Sequence, residues 1–138
     1  MTVARPTPPV SALTRPYWTA ARDGRLDLQQ CAGCGTRPFP PRATCPSCGG
    51  PDMPWTTTTG QGSVHTFTIA HRPPHPIFAD QLPLVVAVVE LDDGPRLTTN
   101  IVECDTADVE IGMPVEVTFL HVDDVMLPVF RPRPRDQR

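Results

Sequence analysis

The alternation of apolar and polar residues predicts a run of short β-strands after about residue 60. The first is "SVHTFTIAH", the second is the almost wholly apolar "LPLVVAVVEL", and the third, "RLTTNIVE", follows the turn sequence "DDGP". In the fourth, "VEVTFL", the side chains of Val115, Val117 and Phe119 alternate with polar ones, and "VMLPVF" ends the series. Five short strands, with the helical or turn link "DTADVEIGMP" after the third, predict a small Greek-key barrel of the OB type.

Three finer expectations follow from the same pattern. The second strand is apolar at nearly every position, so we expect it to be covered on both faces. Pro128 lacks an amide hydrogen, which favours an edge position for the last strand. His65 and His71 are six residues apart on the first strand, so both are expected on the face of Phe67 and Ile69. They could line a ligand groove, but a position at the rim or surface of the barrel is favoured.

The first third of the chain reads differently. "TRPYWTAARDG" predicts a short helix with Thr14 as its N-cap and Gly24 as its stop, and with Tyr17, Trp18 and Ala21 on its apolar side. "RLDLQQ" is then extended, and "MPWTTTTGQG" is a polar bridge to the strands. The resulting division is a flexible arm at 1–13, a helix and cysteine module at 14–58, an OB-fold at 59–130 and a basic, frayed tail at 131–138.

The cysteine module contains the strongest chemical motif. Cys31 and Cys34 form one C-x-x-C hook, Cys45 and Cys48 form a second, and a glycine follows each hook. Four thiolates at this spacing suit one tetrahedral Zn²⁺ with no open coordination position, which makes the predicted site structural. Rubredoxin-type iron, a pair of disulfides and free thiols are the less favoured alternatives. The remaining Cys104 is interpreted as an ordinary thiol that lies in the core or is partly buried.

Composition and charge narrow the function. The chain of 138 residues has a formal charge of −3 and no lysine, so it cannot form a lysine Schiff base and has no general attraction to nucleic acid. No apolar run is long enough to cross a bilayer and no signal-like segment opens the chain, so we expect a cytoplasmic protein without a membrane partner. Cysteines at metal spacing agree with a reducing compartment.

No convincing catalytic group emerges from the residues alone. His121 beside Asp123 and Asp124 is better explained by a turn between strands. The proline-rich loop "HRPPHPIF" carries His71, Arg72 and His75, which either meet a phosphate group or belong to an ordinary exposed loop. On these grounds the chain reads as a binding or scaffolding module.

The order of these motifs resembles a family of zinc-ribbon/OB-fold proteins associated with acyl-CoA enzymes, long known as a domain of unknown function. The matching segments extend from about residue 14 to residue 130: "YWTAARDGRLDLQQCAGCG", "FPPRATCPSCGG", "GSVHTFTIAHRPPHPIFADQLPLVVAVVELDDGPRLTTNIV" and "IGMPVEVTF". The resemblance implies an N-terminal helix, a rubredoxin-like zinc ribbon and a C-terminal OB barrel.

The resemblance also implies a partner of the thiolase superfamily that carries the catalytic residues, while this chain shapes the complex. Three settings are implied: retro-aldol cleavage of a steroid side-chain CoA thioester beside a lipid-transfer-protein-like thiolase, a thiolase/hydroxymethylglutaryl-CoA synthase complex, and an acyltransferase complex. The aldolase setting is favoured. His71, Arg72 and His75 are then candidates for contacts with acyl-CoA or with the interface, and the loop 72–83 either binds the partner or folds back as a lid. A single-stranded nucleic-acid-binding OB protein is the rival hypothesis.

Overall fold

We analysed a computed structural model of the chain, which describes residue 5 and residues 8–73 and 76–134. One helix and a two-stranded sheet precede five longer strands, and two 3-10 helices lie in the connections. The helix is α1 (Arg15–Arg22), the strands are β1 (Asp27–Gln29), β2 (Trp55–Thr57), β3 (Gln61–Ala70), β4 (Leu84–Leu91), β5 (Arg96–Ile101), β6 (Pro114–Val122) and β7 (Val125–Pro132), and the 3-10 helices are Pro76–Gln81 and Thr106–Asp108.

Strands β3 to β7 close into a barrel in the order β3-β4-β5-β7-β6. All neighbours are antiparallel except β5 and β7, which meet in the parallel pair Ile101–Phe130. The interior is filled mainly by valine, leucine and isoleucine around Phe130, which is 0% exposed. The predicted mainly β fold with an N-terminal helix and a five-stranded barrel is confirmed.

Strand β4 is fully covered on one face and only partly covered on the other. Val85, Ala87, Val89 and Leu91 are buried in the barrel, whereas the outer face passes from the buried Leu84 through the half-buried Val86 and Val88 to an exposed glutamate. The expectation of two covered faces was therefore wrong. A closed barrel buries only the inward-pointing residues of each strand, and the outward positions are half-covered here.

A bulge changes the face on which His65 lies. The register of β3 against β4 shifts between Val64 and Thr66, so the alternation restarts after His65. Val64 is buried, Phe67 and Ile69 pack against the core, and His65 is exposed. His65 thus does not share the face of Phe67 and Ile69, while its surface position agrees with the favoured interpretation.

The last strand is an interior member of the barrel and runs into the predicted tail. β7 lies between β5 and β6, so the expected edge position was wrong. Pro128 is tolerated because the ladder to β5 consists of one pair at Phe130. Arg131 continues β7 opposite Glu116 and donates to its carboxylate over 3.3 Å, so residues 131 and 132 belong to the barrel and not to a frayed tail; residues 135–138 lie outside the described part.

The helix begins directly after the predicted N-cap residue Thr14 and ends before Gly24, as expected, but without a side-chain cap. The Thr14 side chain makes no capping bond to the helix; its Oγ1 accepts the Ser11 amide and the Ser11 Oγ accepts the Thr14 amide, so a turn at Ser11 leads into α1. Gly24 has φ +81°, and the amides of Gly24 and Arg25 bond the carbonyls of Ala21 and Ala20. This pair of bonds is the Schellman termination that glycine permits.

The expected flexible arm is fixed at one described residue. Arg5 is only 8% exposed, and its Nε and Nη1 donate to Gln81 Oε1 and Asn100 Oδ1 over 2.9 and 2.6 Å. Its guanidinium also lies 5.6 Å from the centre of the Phe78 ring. The arm therefore contacts the barrel at Arg5, while residues 1–4 and 6–7 lie outside the described part. Within the described residues, no helix has the length and apolarity needed to cross a membrane.

Candidate metal centre

The two cysteine hooks have the same backbone geometry, fourteen positions apart. The amides of Gly35 and Gly49 donate to the carbonyls of Cys31 and Cys45 over 2.8 and 2.9 Å. The amides of the same two cysteines close each turn by donating to the carbonyls five positions further on, those of Thr36 and Gly50. Gly35 and Gly49 have φ +79° and +75°, which glycine adopts without strain. Each C-x-x-C-G segment is thus a tight turn that presents two sulfurs to one side.

The four sulfurs converge on one point. The Sγ atoms of Cys31, Cys34, Cys45 and Cys48 all lie within 4.8 Å of one another. Contacts across the two hooks measure 3.6 Å from Cys31 to Cys48 and 3.5 Å from Cys34 to Cys45. A tetrahedral site with zinc–sulfur bonds of about 2.3 Å separates its sulfurs by about 3.8 Å. The arrangement therefore fits one tetrahedral metal ion, and the four cysteines are positioned to bind it.

The surroundings favour the thiolate form at Cys45 and Cys34. At Cys48 the backbone bond from Gly50 lowers the pKa, but contacts with the other three hook sulfurs outweigh it and raise the pKa to about 12. The backbone N–H of Cys48 donates to Cys45 Sγ over 3.5 Å, and this bond is the main reason that the pKa of Cys45 falls to about 6. The Thr36 hydroxyl lies 3.1 Å from Cys34 Sγ and lowers the pKa of Cys34. Since the thiolate is the ligand form, both effects assist metal binding at neutral pH. Four protein sulfurs leave no open position, so the chemistry that the metal supplies is cross-linking of the chain.

One glycine leaves room for a sulfur. A Cβ added at Gly50 would lie 3.3 Å from Cys48 Sγ, which is closer than an ordinary contact, whereas one added at Gly33 would lie at an ordinary 3.8 Å from Cys31 Sγ. The lack of a side chain at Gly50 therefore helps the second hook to close around the metal position.

The segment that carries the two hooks is attached to the barrel through buried side chains of β1 and of the residue before it. β1 pairs with β2 from Asp27–Thr57 to Gln29–Trp55, and Leu26 and Leu28 belong to the barrel core. The buried Gln29 side chain holds the link between the hooks: its Nε2 donates to the Arg42 carbonyl and its Oε1 accepts the Arg42 amide, both over 2.8 Å. The sequence did not predict the structural role of Gln29, because a polar residue in an extended segment gives no sign that its side chain is buried.

The other candidate residues lie away from the metal centre. Cys104 is partly buried after β5, as expected, and burial together with Asp108 and Asp105 raises its pKa. His71 and Arg72 follow β3 and are exposed, and His75 lies outside the described residues. Ile77 and Phe78 are half-buried in the 3-10 helix that follows. The exposed His121 precedes the turn from β6 to β7, in agreement with the interpretation of Asp123 and Asp124 as turn residues.

Family profiles match most of the chain in two adjacent blocks. The profile described as the rubredoxin-like zinc ribbon domain of ChsH2 matches residues 18–54, and the one described as the C-terminal OB-fold domain of ChsH2 matches residues 55–120. The chain belongs to the ChsH2 family of zinc-ribbon/OB-fold proteins. The family resemblance noted from the sequence is confirmed, and the ChsH2 zinc ribbon coincides with the four-cysteine cluster.

Known proteins of the ChsH2 and DUF35 group are similar to this chain over different shares of their own length. A solved structure titled Ltp2-ChsH2(DUF35) aldolase superposes with a TM-score of 0.81 at 42% identity and covers 91% of this chain and 98% of the other. A DUF35 domain-containing scaffold protein of Methanothermobacter thermautotrophicus is 38% identical over 70% of this chain and 73% of its own length. A Thermomonospora curvata relative named probable enoyl-CoA hydratase alpha subunit is 43% identical over 93% of this chain, which spans only 40% of that relative.

Proposed function

We propose that the chain is a non-catalytic accessory subunit of an acyl-CoA-processing complex, in which a thiolase-superfamily subunit carries the catalytic residues. The observation that carries the proposal is the nearly full-length similarity to a chain of the Ltp2-ChsH2(DUF35) aldolase structure. The absence of lysine supports it, because this chain cannot supply a Schiff-base amine for carbon–carbon cleavage. The closed four-sulfur centre also supports it, since such a centre holds structure and leaves no position for a substrate.

Within this class we propose a retro-aldolase that cleaves the side chain of a steroid CoA thioester. The thioester stabilises the developing carbanion, and residues of the lipid-transfer-protein-like partner move the protons. A Mycobacterium tuberculosis relative, named 3-oxo-4,17-pregnadiene-20-carboxyl-CoA hydratase alpha subunit, supports the steroid assignment; it is 30% identical over 84% of this chain, which spans 36% of that relative.

The exposed loop after β3 is the proposed contact with this partner. His71 and Arg72 project at the surface, where they suit the polar rim of an interface, and His75 belongs to the same loop by sequence. Prolines on both sides restrict the loop before binding, which lowers the ordering cost of association. Contact of these residues with the CoA phosphates is the alternative role.

The second candidate function is a scaffold in a thiolase/hydroxymethylglutaryl-CoA synthase or acyltransferase complex. The observation that favours it is the similarity to two archaeal relatives that are named DUF35 domain-containing scaffold proteins. A single-stranded nucleic-acid-binding role rests on the barrel type alone, and the charge of −3 opposes it.

Co-expression of the full chain with a lipid-transfer-protein-like thiolase tests the proposal. We expect a complex that survives size-exclusion chromatography and cleaves the steroid side-chain CoA thioester, while the purified chain alone shows no turnover. Activity of the chain alone, after controls for contaminants, would contradict the proposal. Retention of a thiolase and synthase pair instead would favour the second candidate function, and retention of oligonucleotides would favour the nucleic-acid hypothesis.

A further inference from the structure

A cavity of about 420 Å³ lies between α1 and the turn that joins β6 to β7. Its volume falls within the range of about 300–1,000 Å³ that is typical of small-molecule sites. The cavity is separate from the metal centre and from the loop after β3. The residues that line it are Val10, Arg15, Trp18, Thr19, Arg22, Asp124, Val125 and Met126.

The helix contributes two arginines and an indole to this cavity. Arg15, Trp18 and Arg22 are spaced by three and four residues, so they lie along one face of α1. The opposite face buries Ala20 and Ala21. Both arginines are exposed, and Trp18 is half-buried with its ring edge-to-face against Tyr17, at a centroid distance of 4.8 Å.

The two arginines of this face lie at the same cavity and are free of ion pairs within the part of the chain that the structure describes. Among the described arginines, Arg25, Arg96 and Arg131 each lie within 4.0 Å of a carboxylate, and the others make no ion pair. Among the described residues, neither Arg15 nor Arg22 has such a partner or a side-chain hydrogen bond. Two unneutralised guanidinium groups at one cavity attract an anion, and their planar forks match phosphate geometry.

The opposite wall adds a carboxylate and an apolar surface. Asp124 lines the cavity from the β6–β7 turn and makes no ion pair with the arginines in the described structure. Val125 and Met126 supply the apolar part of that wall. A ligand that fits must therefore offer an anion, a group that donates hydrogen bonds to a carboxylate, and a flat or apolar body.

We propose that this cavity binds a purine nucleoside phosphate. The phosphate pairs with Arg15 and Arg22, the base stacks on Trp18, and the amino or ribose hydroxyl groups donate to Asp124. An inorganic anion would leave both the indole of Trp18 and the carboxylate of Asp124 without a partner. A purely apolar ligand would leave two cations without a partner.

The shared chemistry has two sources: the adenosine 3′,5′-bisphosphate end of coenzyme A, and a free nucleotide. The proposal of a nucleoside phosphate depends only on the cavity, whereas the choice of coenzyme A as its source also rests on the proposed function.

Calorimetric titration of the zinc-loaded full chain distinguishes the two sources with five probes: coenzyme A, adenosine 3′,5′-bisphosphate, AMP, adenosine and inorganic phosphate. We expect at least one nucleoside phosphate to bind ten times more tightly than adenosine or phosphate. Preference for the two 3′-phosphorylated probes identifies the coenzyme, and equal binding of AMP identifies a free nucleotide.

Matched variants test the location. Arg22→Gln and Arg15→Gln should each weaken nucleotide binding by about tenfold, because each removes a charge-assisted contact. Arg96→Gln removes the same charge from the ion pair with Glu90 on the β4–β5 hairpin and should leave binding unchanged. Zinc content and melting temperature verify folding. Absence of binding for every nucleoside phosphate at millimolar concentration, or equal weakening in all three variants, overturns this site; assembly with the thiolase-like partner is measured separately and tests the proposed function.

Discussion

At the scale of single residues, the five cysteines divide into two kinds. Four converge within 4.8 Å, and the backbone amides of the second hook favour the thiolate of Cys45. Cys104 lies after β5, where its thiol lies 3.3 Å from the Asp105 carbonyl oxygen. We therefore expect the four clustered cysteines to bind the metal and Cys104 to remain a free thiol that reacts slowly.

Replacement of one hook cysteine should remove the metal. Cys34→Ser leaves three sulfurs and a weakly coordinating hydroxyl, so we expect zinc content to fall from about one ion per chain to well below half, with loss of folding free energy in the ribbon. Cys104→Ser is the matched control and should keep its zinc. Elemental analysis of the purified variants, combined with thermal unfolding, provides the measurement. A wild-type chain that is fully folded without metal would contradict the prediction.

Cys104 should react slowly at mildly alkaline pH. Burial, and then the carboxylates of Asp108 and Asp105, raise its pKa, so its thiolate fraction near pH 8 is below that of a free cysteine. In the zinc-loaded chain we expect a disulfide reagent to modify one thiol, with a rate that continues to rise above pH 9. Asp108→Asn removes one of the two negative charges, the second cause after burial, and should increase the rate at pH 8.

Glutathione under the same conditions provides the reference rate for this experiment. A Cys104 rate equal to that of glutathione, or a rate that Asp108→Asn leaves unchanged, would show that the thiol does not sense these carboxylates.

At the scale of elements, barrel closure depends on one crowded position of β3. Gly62 pairs with Leu91 of β4 on one side and with Val115 of β6 on the other, so it lies where β3 is flanked by both neighbours at once. A Cβ added at Gly62 would lie 2.4 Å from the Glu90 carbonyl oxygen and 3.1 Å from Leu91 Cα. Both atoms belong to backbone, which cannot move without loss of the ladder.

Gly62→Ala should therefore destabilise the barrel by about 1–3 kcal/mol, the usual cost of overpacking. Gly94→Ala is the matched control, because its added Cβ would meet the end of the flexible Leu91 side chain at 3.3 Å. Urea unfolding of both zinc-loaded variants measures the difference. Equal midpoints for Gly62→Ala and Gly94→Ala would mean that β3 adjusts locally and that closure does not depend on this glycine.

The same elements show how far the sequence alone could predict the fold. The hydrophobic pattern predicted all five barrel strands: β4 from a nearly continuous apolar run, and the others from β-rich or alternating segments bounded by turns. It did not predict the bulge at His65 or the parallel contact of Ile101 with Phe130, since both depend on which strands become neighbours in the closed barrel. It also ended β7 too early, because the partner of Arg131 is Glu116, fifteen residues away in the chain.

Of the candidate sites, too, only the part that depends on local sequence spacing could be predicted. The metal cluster could be predicted, since the spacing within each C-x-x-C hook is itself the geometric requirement. The burial of Arg5 could not, because its partners Gln81 and Asn100 are 76 and 95 residues away. The cavity beside α1 also combines residues from distant parts of the chain, Arg15 and Arg22 with Asp124.

At the scale of the whole molecule, the loop after β3 has two kinds of residue with different expected roles. Ile77 and Phe78 are half-buried, and Phe78 lies beneath the guanidinium of Arg5, which is the arrangement expected of a lid. His71 and Arg72 are exposed on the approach to that lid, which is the arrangement expected of an interface rim. One loop thus combines a part that stabilises the chain with a part that remains free to meet a partner.

Two single variants separate these roles. Phe78→Ala should lower the free energy of unfolding by about 1–2 kcal/mol, because it removes a half-buried ring together with its contact to Arg5.

Arg72→Ala should leave the melting temperature unchanged and should reduce retention of the thiolase-like subunit in a pull-down, because an exposed arginine contributes to association more than to folding. Arg96→Ala, exposed on the β4–β5 hairpin, is the control for loss of a surface charge. If Arg72→Ala retains the partner as fully as Arg96→Ala does, the loop is a lid only and the partner binds another face of the molecule.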